Sequence, residues 1–506
     1  MVQYMEIRDR FVYLLKRIIG IKTVSYTLLI LTLTLQAYLY YSTAYELYSV
    51  EMSRGGKGYV SDEVWYVSSA RVILNKVFNI KPRLNNTYYG LTLVYNSSVI
   101  DREGFVEAIL DSGLNIVVRD TRYVKLDAVY VETNSGADAE KLVELLKNRG
   151  LIIDVIWGWR LPDNANINSY YNLEHAPLAK YLIGLAITLG SDNPIYWRIP
   201  SIIAGVLTNL LIYFTIKRFT GNLWLGNIAS LIAGLDPLMR ILSSIALLDI
   251  HVALWTSITL YMVSCGKIRW AILTLALGSL FKINTLLLAL PIVIYVLTSK
   301  YMEKRSLLES FTTTILAIVS LISTTLCFQI FSSIPLIQYF GLREWMWNSV
   351  FGAIKWHLSI KCVKPPCPVS SNPWDWFMGR GGFILYYYPN GDKVVAIGFY
   401  PLWLVSLTLA LYTYPISRRI RSNYYASTSL IGLLISYIIL WLAGNRQQYS
   451  FYSVQFIPLV YVNLIVVFYN VVLNPRNLLI NIEMIRGFME RILRRTLELL
   501  SINENL

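Results

Sequence analysis

The sequence predicts an α-helical polytopic membrane protein with about ten transmembrane helices and one small α/β insertion. Of its 506 residues, 55% are hydrophobic and only 15% are charged, and the mean hydropathy is +0.48. A soluble domain of this length carries far more charge. Lysine and arginine occur in short groups between hydrophobic runs, as expected for cytoplasmic loops. The net charge of +14 therefore reflects membrane topology and predicts no nucleic-acid partner.

Ten hydrophobic runs alternate with polar and basic connections. The first run follows a basic segment and is too long for the apolar core of a cleavable signal peptide, so we expect a signal anchor. Counting the basic groups from there places both termini in the cytoplasm and the segments 45–194 and 334–393 outside it. The predicted spans are about residues 24–44, 197–216, 222–239, 245–264, 270–281, 283–299, 310–333, 394–414, 424–443 and 450–472.

These spans divide the chain into six regions. They are the tail, first span and juxtamembrane helix (1–77), an extracytoplasmic insertion (78–160), a transmembrane core (161–333), a late loop (334–393), a C-terminal bundle (394–473) and a cytoplasmic tail (474–506). Several arginines among apolar residues in the last region predict an amphipathic helix on the membrane surface. The architecture suits an integral protein of a prokaryotic cell membrane.

The insertion has the sequence pattern of a ferredoxin-like unit. Alternating or apolar runs predict strands at 88–95, 114–119, 126–132 and 151–157, with helices at 101–112 and 137–149. The order β-α-β-β-α-β is that of a split β-α-β fold. Asn85 and Asn96 begin Asn-x-Ser/Thr acceptors for glycosylation, which fits an extracytoplasmic location. The insertion contains no nucleotide-binding loop, so we expect it to recognise an acceptor or partner, or to be structural.

An acidic pair, Asp62 and Glu63, opens the helical run that follows the first span. Ser61 or Asp62 side chains are suited to cap this helix, which is the simpler interpretation. The alternative is catalytic, because the later extracytoplasmic turns also carry cations, aromatic residues and carboxylates.

Charged residues and histidines collect at the outer ends of the predicted spans. Charges at membrane depth are costly and mark a pathway or ligand site, although single ones also extend to the headgroups or form structural ion pairs. A group leaving as a lipid phosphate needs positive charge, and an acceptor hydroxyl needs a carboxylate base. One base and several cations are therefore sufficient for such a transfer. The candidates are Asp62, Glu63, Glu174, His175, Lys180, Arg198, Asp249, Lys282 and Arg446.

Two cysteines lie close together in the late loop. Cys362 and Cys367 are five residues apart in a segment predicted to be extracytoplasmic, where a disulfide is stable. The spacing also occurs in metal sites, but no second cysteine or histidine pair follows, so a disulfide is the better prediction.

Six segments, taken in chain order, resemble motifs of the protein O-mannosyltransferases. Asp62 and Glu63 fall where that family has its catalytic acidic pair. The resemblance implies a GT-C membrane glycosyltransferase that moves a hexose, typically mannose, from a polyprenyl or dolichyl phosphate with inversion, outside the cytoplasm. The six segments are residues 171–185, 192–201, 244–251, 281–285, 368–376 and 445–458.

The resemblance also implies roles for the site residues. Asp62 is the base, and Glu63 orients it or contacts the sugar. His175, Arg198, Lys282 and Arg446 hold the phosphate, with Lys180 assisting, while Glu174 and Asp249 orient these cations or contact the sugar. A divalent metal held by Asp62, Glu63 or Glu174 stays open, and no other cofactor is predicted.

The acceptor is left open between a protein Ser/Thr hydroxyl and a glycan. The reason is that the sequence departs from the family at Ala176, at Ser243 and Ser244, and at Cys367.

Other functions remain as alternatives. One is another GT-C transferase, of the aminoarabinose or glycan-elongating type; an oligosaccharyltransferase is disfavoured because residues 374–379 are not its WWDYG-like motif. A transporter of lipid-linked sugars predicts an internal repeat of broken helices at mid-membrane, and no convincing repeat is present. A non-catalytic scaffold would bind partners through the insertion.

Overall fold

The predicted fold class is confirmed. A computed structural model describes residues 22–304, 306–359, 362 and 366–503, so the predicted N-terminal tail, residues 1–21, lies outside the described residues. Helices dominate this part of the chain, together with one four-stranded sheet and one two-stranded hairpin.

The helices follow one another with few long interruptions. In chain order they are α1 (Lys22–Ser53), α2 (Glu63–Lys76), α3 (Arg102–Leu110), α4 (Gly136–Asn148), α5 (Leu178–Leu189), α6 (Pro194–Thr220), α7 (Leu223–Gly234), α8 (Pro237–Ser243), α9 (Asp249–Ser264), α10 (Ile268–Ser279), α11 (Ala289–Lys304), α12 (Leu307–Ser332), α13 (Ile334–Phe340), α14 (Leu342–Trp345), α15 (Gly352–Leu358), α16 (Tyr400–Tyr412), α17 (Tyr414–Ser417), α18 (Arg421–Leu442), α19 (Ile457–Val467) and α20 (Pro475–Asn503).

Five helical segments among the described residues are long and apolar enough to cross a membrane: α1, α6, α12, α18 and the segment Ser450–Val472, which contains α19. Helices α7 and α8 make a sixth if they are counted as one bent span. Shorter helices, including α10 and α16, occupy the other predicted spans. The predicted number of ten spans therefore stays a prediction.

The third predicted span is broken rather than straight. Helices α7 and α8 meet at 68°, because Pro237 begins a new helix and the carboxylate of Asp236 caps it through the backbone N–H of Leu238 at 2.9 Å. The same carboxylate accepts hydrogen bonds from the Trp403 indole, the Tyr461 hydroxyl and the Phe399 backbone N–H. Asp236 is thus a buried junction between α7 and α8.

The insertion folds as predicted. Its strands are β1 (Tyr89–Tyr95), β2 (Val117–Asp120), β3 (Ala128–Thr133) and β4 (Ile152–Trp157). They form one antiparallel sheet in the order β2-β3-β1-β4, which is the arrangement of a split β-α-β unit. Helices α3 and α4 bury Phe105, Leu142 and Leu146 against this sheet.

The segment predicted to begin the eighth span is partly a β-hairpin. Strand β5 (Phe383–Tyr387) pairs with β6 (Lys393–Ala396), and Gly391 adopts φ of 89° in the turn between them. The apolar residues of β6 belong to the hairpin, so α16 begins only at Tyr400. The hairpin contacts the end of α1, where Tyr386 Oη donates to Glu51 Oε2 at 2.9 Å.

Two ion pairs flank the acidic pair in the sequence. Arg71, on α2, donates two hydrogen bonds to the carboxylate of Asp192 at 2.6 and 2.7 Å, and both side chains are fully buried. Lys57 Nζ donates to Asp120 Oδ2, at the end of β2, at 2.9 Å. These contacts fix both ends of the segment that carries the acidic pair.

Candidate active site

Glu63 is a fully buried residue at the start of α2. Its carboxylate accepts hydrogen bonds from Arg198 Nε and Nη2, each at 2.7 Å, and from the backbone N–H groups of Val60 and Ala246 at 2.8 and 2.7 Å. The pair therefore clamps the first turn of α2 to α6 and to the loop before α9.

Arg198 is equally buried. Besides its two bonds to Glu63, it donates to the backbone carbonyls of Ala44 at 2.7 Å and Gly58 at 3.1 Å. Four of the five guanidinium N–H groups thus meet protein acceptors. The sequence predicted a phosphate contact for Arg198, whereas this geometry is that of a structural ion pair.

Asp62 occupies the N-cap position of α2, but its side chain makes no capping hydrogen bond. The Ser61 hydroxyl also has no hydrogen-bond partner among the described residues. Neither side chain therefore caps the helix, which removes the simpler interpretation of the acidic pair. Asp62 is half-buried, and its charge acts on Tyr66 and Tyr449, among other tyrosines.

Asp249 and Lys282 form the second buried ion pair of the site. Both carboxylate oxygens lie 2.8 Å from Lys282 Nζ, and neither side chain is more than 2% exposed. Asp249 begins α9, and Lys282 follows α10. The ammonium group lies 4.5 Å from the ring centroid of Tyr452 and 5.5 Å from that of Phe451, so the pair contacts an aromatic wall.

The charges of Asp62 and Asp249 both act on two tyrosines, Tyr66 and Tyr452. Burial, with the charges of Asp62 and Asp249, raises the pKa of Tyr66 well above its ordinary value. Tyr452 is also within electrostatic reach of both carboxylates. Asp62 and Asp249 are therefore both within electrostatic reach of Tyr66 and Tyr452, although the two carboxylates are far apart in sequence.

Glu174 lies between two cavities. Its carboxylate accepts hydrogen bonds from the Tyr170 hydroxyl and from Asn172 Nδ2, and burial together with Glu174 raises the pKa of Tyr170. A cavity of about 380 Å³, here called the polar cavity, is lined mostly by polar residues, which include Tyr170, Glu174 and Lys355. A second cavity of about 210 Å³, here called the apolar cavity, has a mainly apolar wall, to which Leu326 contributes, and Glu174 also lines it. Because Glu174 lines both, polar and apolar space adjoin at this residue.

His175 and Lys180 belong to the turn that carries Glu174. The His175 ring lies 5.9 Å from that of Tyr66 and 6.3 Å from that of His357, so it faces the acidic pair and the late loop. Lys180 is buried and donates to the backbone carbonyls of Tyr171, Asn172 and His175. Lys180 therefore braces this turn, which is a different role from the predicted phosphate contact.

Arg446 lies apart from these residues on an exposed turn. Its guanidinium is 3.7 Å from the Trp441 ring centroid, and within the part of the chain that the structure describes it contacts none of the site residues named above. The neighbouring Gln447 exchanges hydrogen bonds with the backbone of Cys362, at 2.7 and 2.9 Å. A disulfide joins Cys362 to Cys367.

The two glycosylation acceptors share one local geometry. The Asn85 and Asn96 side-chain oxygens accept hydrogen bonds from the hydroxyls of Thr87 at 3.0 Å and Ser98 at 2.6 Å. Both turns lie on the surface of the insertion. Their glycosylation stays a prediction, as does a metal on the site carboxylates: within the described ranges no three His, Cys, Asp or Glu side chains group as metal ligands do.

Sequence reasoning missed the aromatic part of the site. Tyr66 lies one helical turn after Asp62, so the spacing alone predicts that the two side chains share a face of α2. Tyr452 lies in the segment 445–458 that resembles a family motif, whereas nothing in the local sequence of Tyr170 separates it from the other tyrosines, which number 37 in all.

Comparison with known proteins supports the resemblance. Residues 174–328, a range that begins at Glu174 and includes Asp249 and Lys282, match the family model described as dolichyl-phosphate-mannose-protein mannosyltransferase. No curated protein matches the chain.

Two similar solved structures are both of ArnT from Cupriavidus metallidurans, one bound to undecaprenyl phosphate and one in the apo state. They are 13% and 14% identical to this chain with TM-scores of 0.39, and the similarity covers 61% of this chain and 52% of each of theirs. The chain thus spans about half the length of these structures. Residues 174–328 of the chain are therefore similar to the dolichyl-phosphate-mannose-protein mannosyltransferases.

Proposed function

We propose that the chain transfers a hexose, with mannose as the first candidate, from a polyprenyl or dolichyl phosphate to an acceptor hydroxyl on the non-cytoplasmic side of the membrane. The observation that carries the proposal is that Asp62 and the Asp249–Lys282 pair act on the same tyrosines, Tyr66 and Tyr452. A carboxylate that can accept a proton and a cation that can receive a phosphate therefore border one site.

Asp62 is the proposed base. The carboxylate of its neighbour Glu63 already accepts four hydrogen bonds, two from Arg198 and two from backbone N–H groups. Glu63 therefore holds the backbone of Asp62 in place rather than accepting a proton. The half-buried position of Asp62 leaves it accessible to a substrate hydroxyl, as a general base requires.

The donor phosphate is proposed to lie near Lys282. The ion pair with Asp249 offsets the cost of burying the lysine side chain, but it also compensates the positive charge. A phosphate therefore needs a further cation, and Lys355, which lines the polar cavity, is the candidate on the late loop. His175, beside Tyr66, is the second candidate.

The isoprenoid chain of the donor is assigned to the apolar cavity, and its sugar to the polar one. A lipid-linked sugar has an apolar tail and a polar head joined by a phosphate, and the two cavities adjoin in the same order at Glu174. Glu174 is then placed to contact sugar hydroxyls, with Tyr170 and Asn172 orienting its carboxylate.

The transfer is a single displacement. The acceptor oxygen gives its proton to Asp62 and forms a bond to the anomeric carbon, while the bond from that carbon to the phosphate oxygen breaks. The electron pair leaves with the lipid phosphate, whose charge is stabilised by Lys282. One displacement at the anomeric carbon inverts its configuration.

The full chain, purified in lipid nanodiscs, tests the proposal. Radiolabelled polyprenyl-phosphate mannose, glucose and aminoarabinose are each supplied with a Ser/Thr-rich peptide or with membrane glycans as acceptor. We expect transfer by the native protein and a loss of about a hundredfold or more in Asp62→Asn, with an unchanged melting temperature. Asp111→Asn, at an exposed aspartate of the insertion, is the matched control.

The outcomes separate the alternatives. Transfer of aminoarabinose but not of hexose would replace the donor assignment and keep the mechanism. Movement of labelled lipid across the bilayer without transfer would establish a transporter. Full turnover by Asp62→Asn would refute Asp62 as the base.

A further inference from the structure

A cavity of about 500 Å³, here called the insertion cleft, lies between the insertion and the membrane helices. It is separate from the candidate active site. Tyr196 lines the cleft, and Arg198, which binds Glu63, lies two residues further along α6. Two residues correspond to about 200° around an α-helix, so the cleft and the Glu63–Arg198 pair lie on opposite sides of α6.

Four aromatic side chains line the insertion cleft: Tyr48, Tyr88, Trp159 and Tyr196. Tyr88 and Tyr196 are 40% and 37% exposed, respectively. The Trp159 ring is held in place, because its indole N–H donates to the Lys57 carbonyl at 2.8 Å. The tyrosine hydroxyls of the cleft make no hydrogen bond to any part of the chain that the structure describes, so they remain available to a ligand.

The polar residues of the cleft are two amides and one ion pair. Asn85 and Asn193 use their side-chain oxygens locally, in a turn and in the N-cap of α6, and their amide nitrogens donate to nothing among the described residues. Arg119 Nε lies 3.0 Å from Glu132 Oε2. The charges of this pair cancel, so the cleft offers hydrogen-bonding groups without a net charge.

This combination fits a neutral saccharide. Aromatic faces cover the C–H faces of sugar rings, while amides, carboxylates and guanidinium groups hydrogen-bond to their hydroxyls. A phosphate or an anionic headgroup would instead need uncompensated cations. The volume of the cleft is also within the range of small-ligand sites.

We propose that the insertion cleft binds a short neutral saccharide, as a second carbohydrate site that does not depend on the proposed transfer reaction. Two sources have the same chemistry: a glycan carried by an acceptor, and a glycan attached to Asn85, which itself lines the cleft.

Saturation-transfer NMR and calorimetry on the full chain in nanodiscs test this proposal, with mannobiose and chitobiose as probes. We expect binding by the native protein and a loss of about tenfold in affinity in Tyr88→Ala and in Tyr196→Ala. Val124→Ala, at an 87% exposed position of the insertion, is the matched control and should bind normally. Melting temperatures identify a variant that does not fold.

Asp62→Asn separates this site from the active site, because it should keep saccharide binding while losing transfer. Asn85→Gln, expressed in a glycosylating host, separates the two sources: binding that appears only in this variant means that the chain's own glycan fills the cleft. Absence of binding in every form, unchanged binding in both tyrosine variants, or displacement of the probe by a short-chain anionic phospholipid would overturn the proposal.

Discussion

Glu63 and Arg198 are joined by two hydrogen bonds of 2.7 Å in a site closed to solvent. Glu63 directly follows Asp62, so the bond that anchors the start of α2 also positions the proposed base. Removing one partner of such a pair is costly, because the other charge stays buried without compensation.

The first prediction concerns the stability of this pair. Arg198→Ala should lower the free energy of unfolding by about 3–5 kcal/mol, whereas the double variant Glu63→Gln/Arg198→Met should recover part of the loss because no charge stays unpaired. Thermal unfolding in detergent measures both, with Arg486→Ala, at an 81% exposed side chain, as control. Native stability in Arg198→Ala, together with lost transfer, would instead support the phosphate contact inferred from sequence.

The second prediction concerns the Asp249–Lys282 pair. The double variant Asp249→Asn/Lys282→Met removes both charges together, so it should fold. It should nevertheless transfer at least about a hundredfold more slowly, because the leaving phosphate loses its cation. Lys81→Met/Glu140→Gln removes an exposed pair of the same 2.8 Å length and should be neutral. Retained transfer in the Asp249–Lys282 variant would remove Lys282 from the mechanism.

The third prediction concerns the apolar cavity. Ile354→Trp should fill much of its space and raise KM for long polyprenyl donors by about tenfold, with little change for a short, two-isoprene donor. Ile330→Trp, at a 47% exposed position on α12, is the control. Equal effects on both donors would place the isoprenoid chain elsewhere. Initial rates at varied donor concentration give KM for the long donor and for the short donor.

The fourth prediction is a pH dependence. Burial alone would raise the pKa of Asp120, but hydrogen bonds from Lys57 and Arg122 hold it below its ordinary value of 3.8. The carboxylate therefore stabilises the fold fully above pH 3.8, and this contribution is lost as the pH falls through the lower folded-state pKa. Arg160, 3.7 Å away, adds to the same effect.

Asp120→Asn should accordingly lower the melting temperature at pH 7 and make little difference at the lowest pH at which the native protein still folds. Melting curves across this pH range check the prediction. Asp111→Asn, at an exposed position, should behave like the native protein throughout. A constant difference between Asp120→Asn and the native protein at every pH would mean that packing, rather than charge, is what the substitution disturbs.

Local signals predicted the insertion well. Its strands alternate, and Gly113 and Gly150, with φ of 64° and 68°, end the helical segments as a left-handed residue does. The hairpin of β5 and β6 was misread because three consecutive apolar residues at the start of a hydrophobic run have the same hydropathy in a strand and in a helix.

The contacts of the site were less predictable. Arg71 pairs with Asp192, and Glu63 with Arg198, across more than 100 residues. Sequence spacing carries no information about such partners, since only the packed helices bring them together. The sequence did single out Asp62, Glu174, Asp249 and Lys282 as candidates, because charges at the ends of apolar helices are rare and costly; their roles stay a prediction.

The buried junction at Asp236 has a consequence for the stretch of chain that follows it. From there the chain runs through α8 to Ala246, whose N–H holds Glu63, and then to Asp249, the partner of Lys282. Four donors hold Asp236 in place. A substitution at Asp236 should therefore disturb both the Glu63 carboxylate and the Asp249–Lys282 pair, because one stretch of chain carries the contacts of both.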